Sequence, residues 1–235
     1  MILVGPVVLE TRDLTIRFGG HVAVDHVSCA FAPGTLTAIV GPNGAGKTTY
    51  FNLISGQLPA SEGQVLLDDM DITRLPAPLR TRRGLGRAFQ LTQLFPHLSV
   101  LENVRIALQR ASGESFHFWR SEKILNRLDA RALELLETVG LQDYASTLAV
   151  ELAYGRKRAL EIATTLATEP ELMLLDEPTQ GMGHEDVDCV TQLIKKVSAN
   201  RTILMVEHNM NVVSSIADTI SVLQRGQVIA EGPYA

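Results

Sequence analysis

Residues 41–48 have the sequence GPNGAGKT and match the pattern GxxxxGK[ST] at every fixed position. An apolar run, Leu36–Val40, precedes them, and a helix is predicted over residues 48–55. The three glycines let the backbone wrap closely, so that successive N–H groups point at phosphate oxygens, and the helix N-terminus adds the positive end of its dipole. A buried strand, a glycine-rich loop and a helix in this order predict a phosphate-binding loop in an α/β fold.

The side chains of this loop have specific expected roles. Lys47 is expected to reach the β- and γ-phosphates of a nucleoside triphosphate, and the hydroxyl of Thr48 is expected to coordinate Mg²⁺. The predicted nucleotide-binding residues of the loop are Gly41, Pro42, Asn43, Gly44, Ala45, Gly46, Lys47, Thr48 and Thr49.

A second motif, LMLLDEP, covers residues 172–178. Its apolar residues predict a buried strand whose carboxyl end lies beside the phosphate loop. Asp176 is then placed to hold the metal directly or through water, and Glu177 suits a base that orients the attacking water. Alone, the motif would be better explained as a strand that ends in two carboxylates at an ordinary turn. The phosphate loop in the same chain favours the catalytic interpretation.

Strand and helix patterns alternate along the rest of the chain. Further strands are predicted over 8–18, 21–31, 64–69, 202–207, 220–223 and 227–230. The middle, from about residue 100 to 167, is predicted to be helical because apolar residues recur there at three- and four-residue spacing. We therefore predict one α/β domain over residues 1–235, with a helical subdomain inserted at about 91–167.

Composition excludes several classes of protein. The 21 Lys and Arg against 26 Asp and Glu give a net charge of −5, which offers no general electrostatic reason to bind nucleic acid. The hydrophobic content of 46% argues against disorder. Two cysteines exclude a disulfide scaffold. The N-terminal residues lack the basic segment of a signal peptide, and no apolar run reaches the roughly 18 residues of a membrane span. These features predict a cytoplasmic protein.

With these motifs, the chain resembles the ATP-binding cassette (ABC) ATPases over nearly its whole length. The resemblance implies a core of P-loop NTPase type with an antiparallel β subdomain and a helical insert. It also implies that Gln90, in the sequence RAFQ, contacts Mg²⁺ and the attacking water and senses a transmembrane partner. His208 corresponds to the histidine that contacts the γ-phosphate and holds Glu177. Phe18 corresponds to the aromatic residue that stacks on adenine, with a packing role as the alternative.

Two motifs depart from the usual forms of this family. The signature segment, LAYGR at residues 152–156, keeps only two residues of the common LSGGQ. Ala153 lacks a hydroxyl, but Tyr154, Gly155 and the helix N-terminus can still offer N–H groups to the ATP of a facing subunit. Gly183 stands where the family usually has an acidic or amide residue, which puts the corresponding contact between subunits in doubt.

Two surface features have competing interpretations. Arginines at positions 74, 80, 82, 83 and 87 could meet nucleic acid, anionic lipid or acidic loops of a membrane partner, but a solvated, salt-bridged surface is the simpler expectation. The aromatic residues 116, 118 and 119 lie in the helical insert, where this family docks its membrane subunits. A packed hairpin between helices explains them equally well.

The resemblance implies an assembly of several subunits. Two cassettes would hold two Mg-ATP between them, in a homodimer or heterodimer, and would drive permease subunits from the cytoplasmic face of the inner membrane. The motifs are similar to those of the importers for branched-chain amino acids and related amides, which also use a periplasmic binding protein. Those relatives usually continue into a short helical tail, so we expect that the C-terminal tail has been truncated.

Several alternatives remain open at this stage. A lipopolysaccharide-export cassette is the nearest competitor within the class. A cassette that acts on DNA or the ribosome would be expected to show two cassettes in one chain, coiled coils or zinc insertions, and none is visible. A P-loop kinase or GTPase leaves the segments around Gln90, Gly155 and His208 unexplained.

Overall fold

The computed structural model of this protein describes residues 8–88, 94–111 and 122–234. The strands are β1 (Leu9–Phe18), β2 (His21–Phe31), β3 (Leu36–Val40), β4 (Glu62–Leu67), β5 (Met70–Asp71), β6 (Leu85–Ala88), β7 (Leu172–Asp176), β8 (Thr202–Val206), β9 (Thr219–Gln224) and β10 (Gln227–Pro233). The helices are α1 (Lys47–Ser55), α2 (Ala77–Thr81), α3 (Val100–Ala111), α4 (Glu122–Thr138), α5 (Tyr154–Leu166), α6 (His184–Ser198) and α7 (Met210–Ile216).

A six-stranded mixed sheet forms the centre, in the order β10-β9-β3-β8-β7-β6. Strands β9, β3, β8, β7 and β6 run parallel, and β10 pairs antiparallel with β9 at one edge. Helices connect the parallel strands, as such crossovers require. The carboxyl ends of β3, β8 and β7, which are neighbours, therefore lie at one edge of the sheet.

Both faces of this sheet are buried, which explains the continuous apolar runs of its central strands. Successive residues alternate between two hydrophobic cores because side chains of a strand point to opposite faces. In β7, Met173 and Leu175 contribute to the core shared with the helices, whereas Leu172 and Leu174 contribute to the core shared with the second sheet.

The second sheet is antiparallel and has the order β2-β1-β4-β5. Its buried residues pack with α1 and with one face of the central sheet. Helices α3, α4 and α5 follow β6 in the chain and precede β7, and they contact one another. The structure thus confirms the predicted α/β fold class, with an antiparallel sheet beside the main one, while the domain boundaries stay a prediction.

Most predicted strands are present with shifts of one or two residues, but the segment 62–88 differs from expectation. Strand β4 ends at Leu67, two residues before the predicted end, because Asp68 and Asp69 adopt left-handed conformations with φ of 47° and 61° in the turn to β5. Helix α2 and strand β6 lie in the arginine-rich stretch 74–88. The sequence did not predict them because arginines interrupt their short apolar runs.

The expectation of a solvated arginine surface is wrong for Arg80, which is only 2% exposed. Its guanidinium donates to the carbonyl oxygens of Leu53 at 2.7 Å and Ile54 at 2.6 Å, in the last turn of α1. It also donates to the carbonyls of Thr73 and Leu75, at 2.7 and 2.8 Å. Burial lowers the pKa of Arg80 to about 10, so the group stays cationic at neutral pH. Arg80 therefore caps the carbonyl end of the helix that follows the phosphate loop.

Replacing Arg80 with Met is expected to lower the free energy of unfolding by about 3 kcal/mol, because buried carbonyls lose their donor. Arg82→Met is the matched control: Arg82 lies two residues away and is exposed, so a change below about 0.5 kcal/mol is expected. Urea denaturation of both variants measures the difference. Equal stabilities would mean that the cap does not contribute.

Candidate active site

The candidate site lies where three neighbouring strands end. The glycine-rich loop follows β3, Glu177 follows β7, and His208 follows β8 by two residues. In the sheet register, Val206 of β8 is paired with Ile39 of β3 on one side and with Asp176 of β7 on the other. The sheet thus brings residues 41–48, 176–177 and 208 to one edge, although as many as 167 positions in the chain separate them.

Backbone geometry at the loop explains why two of its positions are glycine. Gly41 has φ of 154°, and a Cβ there would lie 2.1 Å from the carbonyl oxygen of Leu223. Gly46 has φ of 99°, and a Cβ would lie 2.4 Å from the carbonyl oxygen of Ala23. Any side chain at either position would collide with fixed backbone, so the loop is held tightly against β2 and β9.

Lys47 spans the loop from the first turn of α1. Its side chain is buried, and its ammonium donates to the carbonyl oxygens of Gly41 at 2.9 Å and Pro42 at 3.0 Å. Burial lowers the pKa of Lys47, while the carboxylate of Glu177 acts in the opposite direction. A cation is therefore fixed at the centre of the loop and faces the neighbouring acid.

The other loop residues divide into exposed and buried groups. Pro42, Asn43, Gly44 and Thr48 are exposed, Gly41, Gly46 and Thr49 are half-buried, and Ala45 is buried. The hydroxyl of Thr48 is therefore accessible at the start of α1, where the backbone N–H groups of a helix are free to meet an anion. This is the arrangement that the motif predicts, and the individual nucleotide contacts stay predictions.

Glu177 and His208 form the central contact of the site. Nε2 of His208 lies 2.8 Å from Oε1 of Glu177. Glu177 has a left-handed backbone with φ of 49°, which turns its side chain away from the direction of Asp176. Its N–H donates to the carbonyl of Val206 at 2.9 Å, so the turn remains fixed to the adjacent strand. The carboxylate and the imidazole are thus positioned together at the sheet edge.

Asp176 is paired with Arg87, a contact that the sequence did not predict. The guanidinium donates to Oδ2 of Asp176 at 2.8 Å, with side chains that are 9% and 15% exposed. It also donates to Asn52 at 2.8 Å and to Ser55 at 2.7 Å, both in α1. Burial raises the pKa of Asp176, and the positive charge of Arg87 acts in the opposite direction. Like Arg80, Arg87 departs from the expected surface role, whereas positions 74, 82 and 83 are exposed.

Removing Arg87 is expected to destabilise the fold, and the size of the loss should depend on pH. In Arg87→Met the carboxylate of Asp176 stays buried without its cation, which costs about 3–5 kcal/mol. The pKa of Asp176 rises further, and protonation relieves the cost, so the loss of stability is largest above this pKa and shrinks as pH falls through it.

Urea unfolding at pH 8 and pH 5 measures this difference. The control is Arg105→Met, which breaks a half-exposed pair with Asp129 and should cost at most about 1 kcal/mol at either pH. A loss of stability for Arg87→Met that grows toward pH 5 would contradict the interpretation.

Phe18 lies at the end of β1, in the hairpin with β2, and is 50% exposed. Strand β2 contacts the loop through Ala23, whose carbonyl lies against Gly46. An exposed aromatic ring is therefore present on the hairpin that adjoins the phosphate loop. Its stacking on adenine stays a prediction.

The signature segment begins α5, with Ala153 as the N-cap residue. A Cβ at Gly155 would lie 2.6 Å from Oδ1 of Asp186 in α6, so a side chain at position 155 would have to displace the Asp186 carboxylate. The Tyr154 hydroxyl donates to the carbonyl of Gln180 at 3.3 Å and accepts from Arg158 at 2.9 Å. The segment is thus tied to the turn after Glu177 within one chain. Gly183 is the N-cap of α6, with no side chain to cap the helix.

Two predictions fall outside the described part of the chain. Gln90 lies in residues 89–93, just after β6, and the aromatic residues 116, 118 and 119 lie in residues 112–121. Strand β6 ends at Ala88, paired with Leu175 of β7. The chain therefore enters the segment of Gln90 from the strand next to Asp176.

Comparisons with known proteins agree with this architecture. Residues 24–180 match the family model described as ABC transporter. The chain is 37% identical to the high-affinity branched-chain amino acid transport ATP-binding protein BraF of Pseudomonas aeruginosa, over 96% of this chain and 91% of that protein.

Two solved structures extend the comparison. The ADP conformation of MJ1267, an ATP-binding cassette of an ABC transporter, aligns with a TM-score of 0.85 and 29% identity over 98% of this chain and 92% of that one. The dimeric post-hydrolysis state of the cassette MJ0796, bound to ADP and Pi, aligns with a TM-score of 0.78 and 27% identity over 96% and 98% of the two chains. On this evidence, the chain belongs to the ABC transporter family and is an ATP-binding and ATP-hydrolysing subunit of that family.

Proposed function

We propose that this ATPase energises the import of branched-chain amino acids or related small amides through a membrane transporter. The 2.8 Å contact between His208 and Glu177, beside the cationic loop of Lys47, is the observation that supports hydrolysis at this edge. The similarity to BraF, a branched-chain amino acid transport protein, supports this class of cargo and favours it over lipopolysaccharide export.

In the proposed reaction, Glu177 accepts the proton of a water that attacks the γ-phosphate, and His208 holds the carboxylate in position. The bond between the γ-phosphorus and the bridging oxygen breaks, and ADP is the leaving group. Lys47 and the loop N–H groups neutralise charge on the phosphates. By the family resemblance, Gln90 orients the same water.

The residues present fit Mg²⁺ as the accompanying ion. Thr48 offers an accessible hydroxyl and Asp176 a carboxylate, and oxygen donors of this kind are what Mg²⁺ prefers when it is shared with substrate phosphates. When bound with ATP, the ion would be held by Thr48 and Asp176 and would reduce the negative charge of the phosphates. Within the described ranges there is no group of three His, Cys, Asp or Glu side chains that could hold a metal ion.

The proposed assembly contains a second ABC ATPase, identical or different. In it, the segment Ala153, Tyr154 and Gly155 would face the ATP bound by the other cassette. The dimeric structure of MJ0796 supports this arrangement. The Tyr154 contact with Gln180 would then connect each signature segment with the catalytic turn of its own subunit.

Permease subunits are the proposed partners on the membrane side. In residues 8–88, 94–111 and 122–234 no helix is long and apolar enough to cross a bilayer. A cleft of about 500 Å³ lies between α2, β6, α3 and α5, next to the strand that leads to Gln90. Its lining includes Phe95, which is half exposed, and Ile106. We propose that this cleft receives a cytoplasmic segment of the permease, which places the protein peripherally on the inner membrane.

A periplasmic binding protein would act through the permeases, and no nucleic acid is expected. The test is affinity capture of tagged Glu177→Gln from native membranes in Mg-ATP, with Lys47→Met as the control that should not retain ATP. Recovery of two permeases and a second cassette supports the proposal and leads to the binding protein and its cargo. Recovery of ribosomal proteins or nucleic acid would contradict transport while leaving the ATPase assignment intact.

A further inference from the structure

Glu207 is a buried carboxylate, 2% exposed, between the two segments that carry Glu177 and His208. One of its oxygens, Oε1, accepts the hydroxyl and the N–H of Thr179, the latter at 3.3 Å. The other, Oε2, accepts the N–H groups of His208 at 2.7 Å and Asn209 at 3.4 Å. Each oxygen is therefore committed to one of the two segments.

The location of Glu207 explains what this division does. The bond from the Glu177 N–H to Val206 is the last backbone contact between β7 and β8. Beyond this bond the two segments leave the sheet. One forms the turn 177–180, in which the Gln180 N–H donates to the Glu177 carbonyl at 3.1 Å, and the other leads to α7. Where the backbone hydrogen bonds between the strands end, the side chain of Glu207 links the two segments by its own hydrogen bonds.

A carboxylate in this setting is costly to bury, since transfer of a charge from water requires full compensation by hydrogen bonds. Its donors are backbone and hydroxyl groups of the two segments, so the compensation is complete only when both segments are in place. The charge therefore specifies one relative arrangement of the turn after Glu177 and the start of the His208 segment.

We infer that Glu207 is a positioning residue for ATP hydrolysis, which sets the distance between Glu177 and His208 without contacting the reacting atoms. This inference rests on the proposed roles of those two residues. A displacement of either one by a fraction of an ångström would slow the attack of water. Nucleotide binding, which depends on the loop after β3, would be retained.

The test compares steady-state ATP hydrolysis by the full chain with Glu207→Gln. An amide of the same shape presents an NH₂ group to one of the two sets of donors, so one segment loses its acceptor. We expect kcat to fall at least about tenfold while KM for ATP changes by less than about twofold. The ¹⁵N resonances of the His208 ring should also shift.

Asp218→Asn is the matched control. Asp218 also accepts a backbone N–H, that of Leu36 at 2.8 Å, but it lies at the opposite end of β3. Its kcat and its His208 resonances should equal those of the wild type. Thr179→Val, which removes only the hydroxyl donor, should lower kcat less than Glu207→Gln and add nothing in the double variant, because both act through the same contact.

The outcomes separate this inference from the proposed function. If Glu177→Gln abolishes hydrolysis but folded Glu207→Gln keeps the wild-type kcat, the positioning role is overturned and the proposed function stands. If Glu207→Gln does not fold, an unchanged kcat in Thr179→Val overturns the role. Hydrolysis that is unaffected by Glu177→Gln overturns both.

Discussion

Replacement of Glu177 with Gln is expected to lower kcat for ATP hydrolysis at least about 100-fold while leaving ATP affinity nearly unchanged. The amide oxygen can still meet the imidazole of His208, now 2.8 Å from the carboxylate, so the local geometry is preserved. The amide cannot accept the proton of the attacking water, and the loss is therefore confined to the chemical step. Single-turnover hydrolysis and equilibrium nucleotide binding measure the two quantities separately.

Glu169→Gln provides a matched control for this variant. Glu169 has the same φ of 49° as Glu177, but its side chain is exposed and lies away from the site. Any effect of placing Gln in a left-handed backbone conformation would appear in both variants. A comparable loss of hydrolysis in Glu169→Gln, or hydrolysis by Glu177→Gln within about threefold of the wild type, would contradict the role of general base.

Replacement of Lys47 with Met should have the opposite profile, weakening ATP binding about 100-fold or more. A charge-assisted contact with phosphate contributes roughly 1.5–3 kcal/mol, and Lys47 is expected to make more than one. Its ammonium now bonds to the carbonyls of Gly41 and Pro42, so the variant also loses a brace across the loop. Isothermal titration with Mg-ATP measures the affinity.

Lys195→Met is the control for the loss of a lysine. Lys195 lies exposed in the last turn of α6, remote from the loop, and its replacement should not change ATP affinity. Retention of wild-type affinity by Lys47→Met would show that phosphate recognition does not depend on this cation. Loss of affinity in both variants would indicate a nonspecific effect of charge.

The order of elements around the site could be predicted because each one is encoded locally. The run Leu36–Val40 is apolar except for Thr37 because both faces of β3 are buried, and the glycines of the following loop mark the turn. The strand that ends at Asp176 has the same pattern of buried apolar residues, as predicted. His208 was located only through the family resemblance, because a lone histidine after a strand carries no signal of its own.

The contacts of Arg80, Arg87 and Glu207 could not be predicted because their partners are distant in the chain. Arg87 bonds to Asp176, 89 residues away, and Glu207 bonds to Thr179, 28 residues away. A charged residue in a polar stretch is normally exposed, and only the packing of α1 and β6 buries these arginines. The sequence identifies these charged groups, but it does not show which distant segments pack against them.

A crystal structure of Glu177→Gln with ATP and Mg²⁺ tests the central claim most directly. We expect the γ-phosphate to contact Lys47 and the loop N–H groups, and the ion to contact Thr48 and Asp176. We also expect Gly155 of a second cassette to lie against the same ATP. A γ-phosphate bound away from Lys47, or a nucleotide that no second subunit approaches, would contradict this claim.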